Sequence, residues 1–125
     1  MTKEELVVYL SPILKSAGFK KSRTTWHRSS PEGVCVFSIQ SSQYGSEFYL
    51  NIGFYINALG NIEKPPEYKC HIRERLDITS DAEKTGQNIL NWFNDFGSIN
   101  KLRNNAFSET FPLITKAARE FLEKE

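Results

Sequence analysis

A chain of 125 residues, 39% hydrophobic and 25% charged, is long enough to bury one core without disulfide or metal staples and has the composition of a globular domain. Its net charge of +1 supplies no global field toward nucleic acid or an anionic membrane, and no apolar run approaches the roughly 20 residues of a spanning helix. The opening MTKEELVVYL carries charges of both signs in place of an apolar leader, and Cys35 and Cys70 form no C-x-x-C pair. Two thiols without a framework, and no export signal, lead to the expectation of a single cytoplasmic domain over residues 1–125 with both cysteines reduced.

The chain opens on a helix. Thr2 and Glu5 stand at capping-box spacing, Leu6, Leu10, Ile13, Leu14 and Ala17 recur at helical period, and Gly18 follows as a stop. Pro12 inside the pattern predicts a kink or tightened turn. Strands come next: SRTTWHRSS, a PEG turn, VCVFSIQSS, a QYGS turn, then EFYLNIGFYIN. A two-residue turn at Tyr44-Gly45 pairs Ile39 with Leu50, Phe37 with Ile52 and Cys35 with Phe54, all fit for a core. The same register sets Gln40 beside Tyr49 and Ser38 beside Asn51 on the other face.

The first strand has two registers. A two-residue turn at Pro31-Glu32 puts Trp26 opposite Phe37 in the core, whereas a three-residue turn with Gly33 left-handed puts it opposite Ser38. Burial of an indole favours the first. ALGNIEKPPE reads as a loop, because Pro65-Pro66 blocks both helix and ladder. YKCHIRERLDI then alternates, with Tyr68, Cys70, Ile72, Leu76 and Ile78 inward and Lys69, His71, Arg73, Arg75 and Asp77 outward. Glu74 falls on the apolar side and is expected at a sheet edge or beside a cation.

The remainder is helical by pattern. Ser80 and Glu83 suggest a capping box ahead of DAEKTGQNILNWFNDF, Gly97-Ser98 a break before a short helix through Leu102, and Pro112 the first turn of a last helix with Leu113, Ile114, Ala117, Phe121 and Leu122 as its stripe. The expected architecture is α+β: a four-stranded antiparallel meander with helices packed on one face, one N-terminal and two to three C-terminal. The first and last helices are expected to pack the apolar face, leaving the other face at least partly open.

That second face collects the candidate binding residues Gln40, Tyr49, Asn51, Tyr55, His71, Arg73 and Arg75, with Ser38 among them. Tyr and Arg combine contact area with directional hydrogen bonds, and guanidinium suits carboxylate or phosphate. A merely solvated sheet face rich in a good strand former is the plainer reading. No metal or cofactor is expected: the spacings of His27, Cys35, Cys70 and His71 match no zinc motif, and Cys70 and His71 point to opposite faces. No catalytic signature is present, so an enzyme is not expected. FKKSRTTWHR interleaves basic and aromatic residues, yet a solvated basic edge accounts for it better than nucleic-acid binding.

The pieces Gly18-Phe19-Lys20, Gln40-Ser41-Ser42, Phe48 to Gly53, and Arg73-Glu74-Arg75-Leu76 resemble the bacterial domain-of-unknown-function 4304 family, over roughly Leu6 to Leu76. The resemblance implies no established activity. Small α+β domains of this type are associated with immunity proteins that bind and neutralise a cognate toxin, so it implies a non-enzymatic protein-binding module with a protein toxin as partner. The alternative is a small anionic ligand held on the Tyr/Asn/Arg face. An enzyme built on His71 with Arg73 or Arg75 ranks last.

Overall fold

The computed structural model describes residues 1–106 and 111–124. Helix α1 (Lys3–Ser16) leads into β1 (Lys20–Ser22), β2 (Thr25–Ser29), β3 (Gly33–Ser41), β4 (Phe48–Ile56) and β5 (Ile72–Leu76). After these come α2 (Ala82–Phe96), α3 (Ile99–Asn104), the short β6 (Leu113–Ile114) and α4 (Lys116–Glu123). Among the described residues the sheet is an antiparallel meander of six strands in chain order, not four.

Both additional strands are short edges. SRTTWHRSS is not one strand, because Arg23 adopts φ of 57° and turns the chain between β1 and β2. At the far edge Leu113-Ile114 pairs with Ile72 and Arg73, so the last helix begins after Thr115, whose side chain caps Ala118 N–H. The expected start at Pro112 is therefore wrong, and Leu113 lies 80% exposed instead of in a helix stripe. Glu125, the end of that expected helix, lies outside the described residues. The α2 cap likewise moves by one residue: Asp81, not Ser80, accepts from Glu83 N–H.

The central register is as the turns require. Ile39 faces Leu50, Phe37 faces Ile52, Cys35 faces Phe54 and Trp26 faces Phe37. Thr2 and Glu5 form the reciprocal capping box of α1, and Gly18, at φ of +93°, takes the left-handed position just beyond it. One core fills the space between the inner sheet face and the helices. Leu6, Leu10 and Leu14 come from α1, Ala118 and Leu122 from α4, and the largest helical share, Ile89, Trp92, Phe93 and Phe96, from α2. The first and last helices thus share the sheet with a helix whose aromatics dominate. Glu74, on the inner face, accepts from Trp92 Nε1–H at 2.9 Å, so its partner is an indole rather than a cation.

The outer face divides in two. Val34, Val36, Tyr55 and Cys70 form a second buried cluster there. The segment between β4 and β5 folds over them, through 3-10 turns at Asn57–Leu59 and Glu67–Lys69. Tyr68, expected inward on a strand, lies in the second of these turns and is 67% exposed. Cys70 crosses to the outer side, where Gly53 leaves room for it: a Cβ at Gly53 would stand 2.8 Å from Cys70 Cβ. The two cysteines are free and buried on opposite sides of the sheet. Burial pushes both thiols up from the ordinary value, which keeps them protonated.

Candidate functional site

The uncovered part of the outer face lies toward one end of the strands, over the start of β2 and β4 and the end of β3 and β5. Register sets Thr25, Ser38, Asn51 and Arg75 in one row across four strands. Gln40 and Tyr49 form the next cross-strand pair. Each position points outward because its neighbours, Phe37, Leu50, Ile52 and Leu76, point into the core or pack against it.

Hydrogen bonds link the row in two groups, Thr25 with Ser38 and Arg75 with Asn51 and Gln40. Arg75 Nε–H donates to Asn51 Oδ1 at 3.1 Å, and Asn51 Nδ2–H donates to Gln40 Oε1 at 2.8 Å. Thr25 Oγ1–H donates to Ser38 Oγ at 3.3 Å. The two bonds to Asn51 fix which end of its amide is oxygen, since guanidinium can only donate. Asn51 is only 8% exposed, so it acts as a buried anchor for two exposed side chains. The Arg75 guanidinium carbon stands 4.3 Å from the Tyr49 ring centroid, a cation–π geometry that flattens the side chain along the sheet. Among the described residues its terminal nitrogens have no partner within the chain. A guanidinium held at one side and free at the other is ready for a carboxylate or phosphate oxygen.

The other expected site residues are placed differently. Arg73 gives both Nε–H and Nη2–H to the Glu67 carboxylate, at 2.8 and 3.1 Å, and Glu67 is 7% exposed. That bidentate pair clips the β4–β5 segment to the sheet. Tyr55 is buried, its hydroxyl accepting from Ile62 N–H and sitting against Gly60. His71 packs against Tyr55 with centroids 4.7 Å apart and ring planes tilted by 43°, and its Nδ1 accepts from Ile56 N–H at 2.9 Å. A lone pair must remain on Nδ1, so the neutral ring carries its proton on Nε2. Burial lowers the His71 pKa, which favours that neutral form. The expectation of one open face carrying all seven residues is corrected accordingly. Gln40, Tyr49, Asn51 and Arg75 form the uncovered half, while Tyr55, His71 and Arg73 hold the covering segment.

Val34, Val36, Glu67 and Cys70 also belong to this face, although alternation alone does not place them there. VCVF is a continuous apolar run rather than an alternating one, the pattern of a strand buried on both sides. Thr25 follows once Trp26 is assigned to the core. Glu67 gave no signal, since nothing in its neighbourhood pairs it with a residue six positions on.

Among the described residues no group of three or more His, Cys, Asp and Glu is placed to hold a metal ion, and no helix is long and apolar enough to cross a membrane. No curated protein and no solved structure matches the chain. A family model does match, Domain of unknown function (DUF4304), over residues 10–123. The match runs on through the C-terminal helices, beyond the motifs between Leu6 and Leu76 that carry the resemblance. The chain belongs to the DUF4304 family.

Proposed function

We propose that this domain is a non-enzymatic protein-binding module and that the uncovered half of the outer sheet face, centred on Tyr49 and Arg75, is its contact surface. The observation that carries the reading is the state of Arg75: stacked on Tyr49, bonded to Asn51 and unspent at its terminal nitrogens. A side chain ordered before the partner arrives loses little entropy on binding, and Tyr and Arg in one ordered cluster are the residue types that dominate interface energies. The concrete role is that of an immunity protein, which caps a cognate toxin by occlusion and needs no turnover.

The surroundings favour a protein over a small anion. The groove beside the cluster, about 480 Å³, is lined by Glu47 and Asp77 as well as Arg75, together with Phe48, Leu76 and Ile78. Two carboxylates against one guanidinium repel a free anion. They suit a mixed-charge protein surface that presents an acid to Arg75 and an apolar group to the groove.

A photo-crosslinking residue at Gln40 and another at Lys124, just past the end of α4, provide the test in cells of the source organism. The expected result is one protein crosslinked from Gln40, lost on Tyr49→Ala or Arg75→Ala, and absent from Lys124. Crosslinking that survives both substitutions, or that arises equally from Lys124, overturns the reading.

A further inference from the structure

The basic edge of the sheet carries chemistry that the protein-binding face does not use. Lys20 pairs with His27 and Ser22 with Thr25, so Lys20, Ser22, His27 and Ser29 all project from the outer face at the β1–β2 corner. They line a cavity of about 270 Å³ together with Lys21, whose ammonium lies over the Trp26 ring, and with Lys64, which arrives from the covering segment more than thirty residues away. What brings Lys64 there is its neighbour: Pro65 is buried, and its carbonyl accepts from His27 Nε2 at 2.7 Å.

We propose that this corner is a second binding site, for the phosphate group of a small phosphomonoester. Two ammonium groups from separate elements, Lys20 and Lys64, match a group carrying about −1.5 to −2 charge at neutral pH, and the Ser22 and Ser29 hydroxyls offer donors to its remaining oxygens. Among the described residues no carboxylate lines the cavity. The ion pairs among the described residues, Arg73–Glu67 and Lys116–Glu120, leave both lysines uncommitted. The sequence shows the same bias: no Asp or Glu occurs between Glu5 and Glu32, where Lys15, Lys20, Lys21, Arg23 and Arg28 all fall.

Lysines on an edge strand also discourage other strands from adding to the sheet. That accounts for Lys20 and Lys21. It does not account for Lys64, which belongs to no strand, or for a histidine locked in orientation by a buried proline carbonyl. The size of the cavity selects among phosphate carriers. At about 270 Å³ it lies at the small end of ligand pockets, room for a phosphate and a short attached group. A nucleic-acid strand needs a track of repeated phosphate contacts, and this corner holds room for a single phosphate.

Glycerol phosphate and inorganic phosphate, titrated into the full chain and followed by the His27 ring and Ser29 amide resonances, form the test, with a thymidine oligonucleotide as a third titrant. The expected result is saturable binding of glycerol phosphate and of phosphate at the same resonances, weakened by at least about tenfold in Lys64→Gln and in Lys20→Gln. Both lysines are exposed, so an unchanged amide spectrum of each variant shows that folding is intact. Resonances that do not saturate at millimolar phosphate, variants that bind as the unaltered protein does, or binding of the oligonucleotide alone would each overturn the proposal.

Discussion

His71 holds the β4–β5 segment through a bond that only the neutral ring can accept, since Ile56 N–H needs the Nδ1 lone pair. Burial lowers its folded-state pKa below the ordinary 6.5. The unfolded chain therefore takes up a proton first as pH falls. The His71 contribution to stability is fully present above about pH 6.5 and is lost as pH falls below that value through the lowered folded pKa. Urea unfolding between about pH 7 and pH 5 should show that loss in the unaltered protein and a shallower one in His71→Ala; equal slopes would remove His71 from this role. The two arginines of β5 separate in the same kind of experiment. Arg73→Ala leaves the buried Glu67 carboxylate without its partner and should cost about 1–3 kcal/mol, discounted from the fully buried case because Arg73 itself is 45% exposed. Arg75→Ala removes one part-buried bond to Asn51 and the contact with the Tyr49 ring, and should cost no more than about 1.5 kcal/mol.

Each strand of the meander has its own reason for being where it is, and β4 shows the clearest. Its inner residues, Phe48, Leu50, Ile52, Phe54 and Ile56, form an unbroken buried row. Its outer row changes character at Gly53, polar and half open on one side, covered on the other. Gly53→Ala would drive a methyl to 2.7 Å from the Ile72 carbonyl and 2.8 Å from Cys70 Cβ. It should cost about 1–3 kcal/mol, as overpacking does, and amide exchange should rise in residues 57–71 before it rises in β3. The β3–β4 pairing was legible in the sequence because two independent constraints, the Tyr44-Gly45 turn and the alternation of Phe48 to Ile56, demand one register. β1, β6 and the crossing of Cys70 were not. Strands of two or three residues are too short for a period, and Leu113-Ile114 beside Pro112 reads equally well as the start of a helix. Cys70 and Tyr68 fit the strand alternation of their neighbours, but Tyr68 lies in the 3-10 turn at Glu67–Lys69 and Cys70, just after it, packs over Gly53. In the candidate site, the parity that groups Gln40, Tyr49, Asn51 and Arg75 could be read from the chain. Which outward residues are covered could not, because that depends on where the β4–β5 segment lies.

The molecule as a whole is a sheet whose inner side is committed to folding and whose outer side is shared between a structural lid and a surface. Leu50 sits at the centre of the inner side, fully buried, opposite Ile39 on one strand and Leu76 on the other. Leu50→Ala should cost about 2–5 kcal/mol by denaturant unfolding, the range for truncation of a well-packed core residue; a change within surface scatter would contradict the packing described. Whether the uncovered half of the outer side binds while the covered half only folds is decided by calorimetric titration of the crosslinked partner, once purified, into Tyr49→Ala, Arg75→Ala and Arg73→Ala. The expected result is a loss of at least about 2 kcal/mol of binding for Tyr49→Ala and Arg75→Ala with folding stability nearly unchanged, and a stability loss with a smaller binding loss for Arg73→Ala. Neutral Tyr49 and Arg75 variants, with binding abolished instead by substitutions on the helical side, would contradict it.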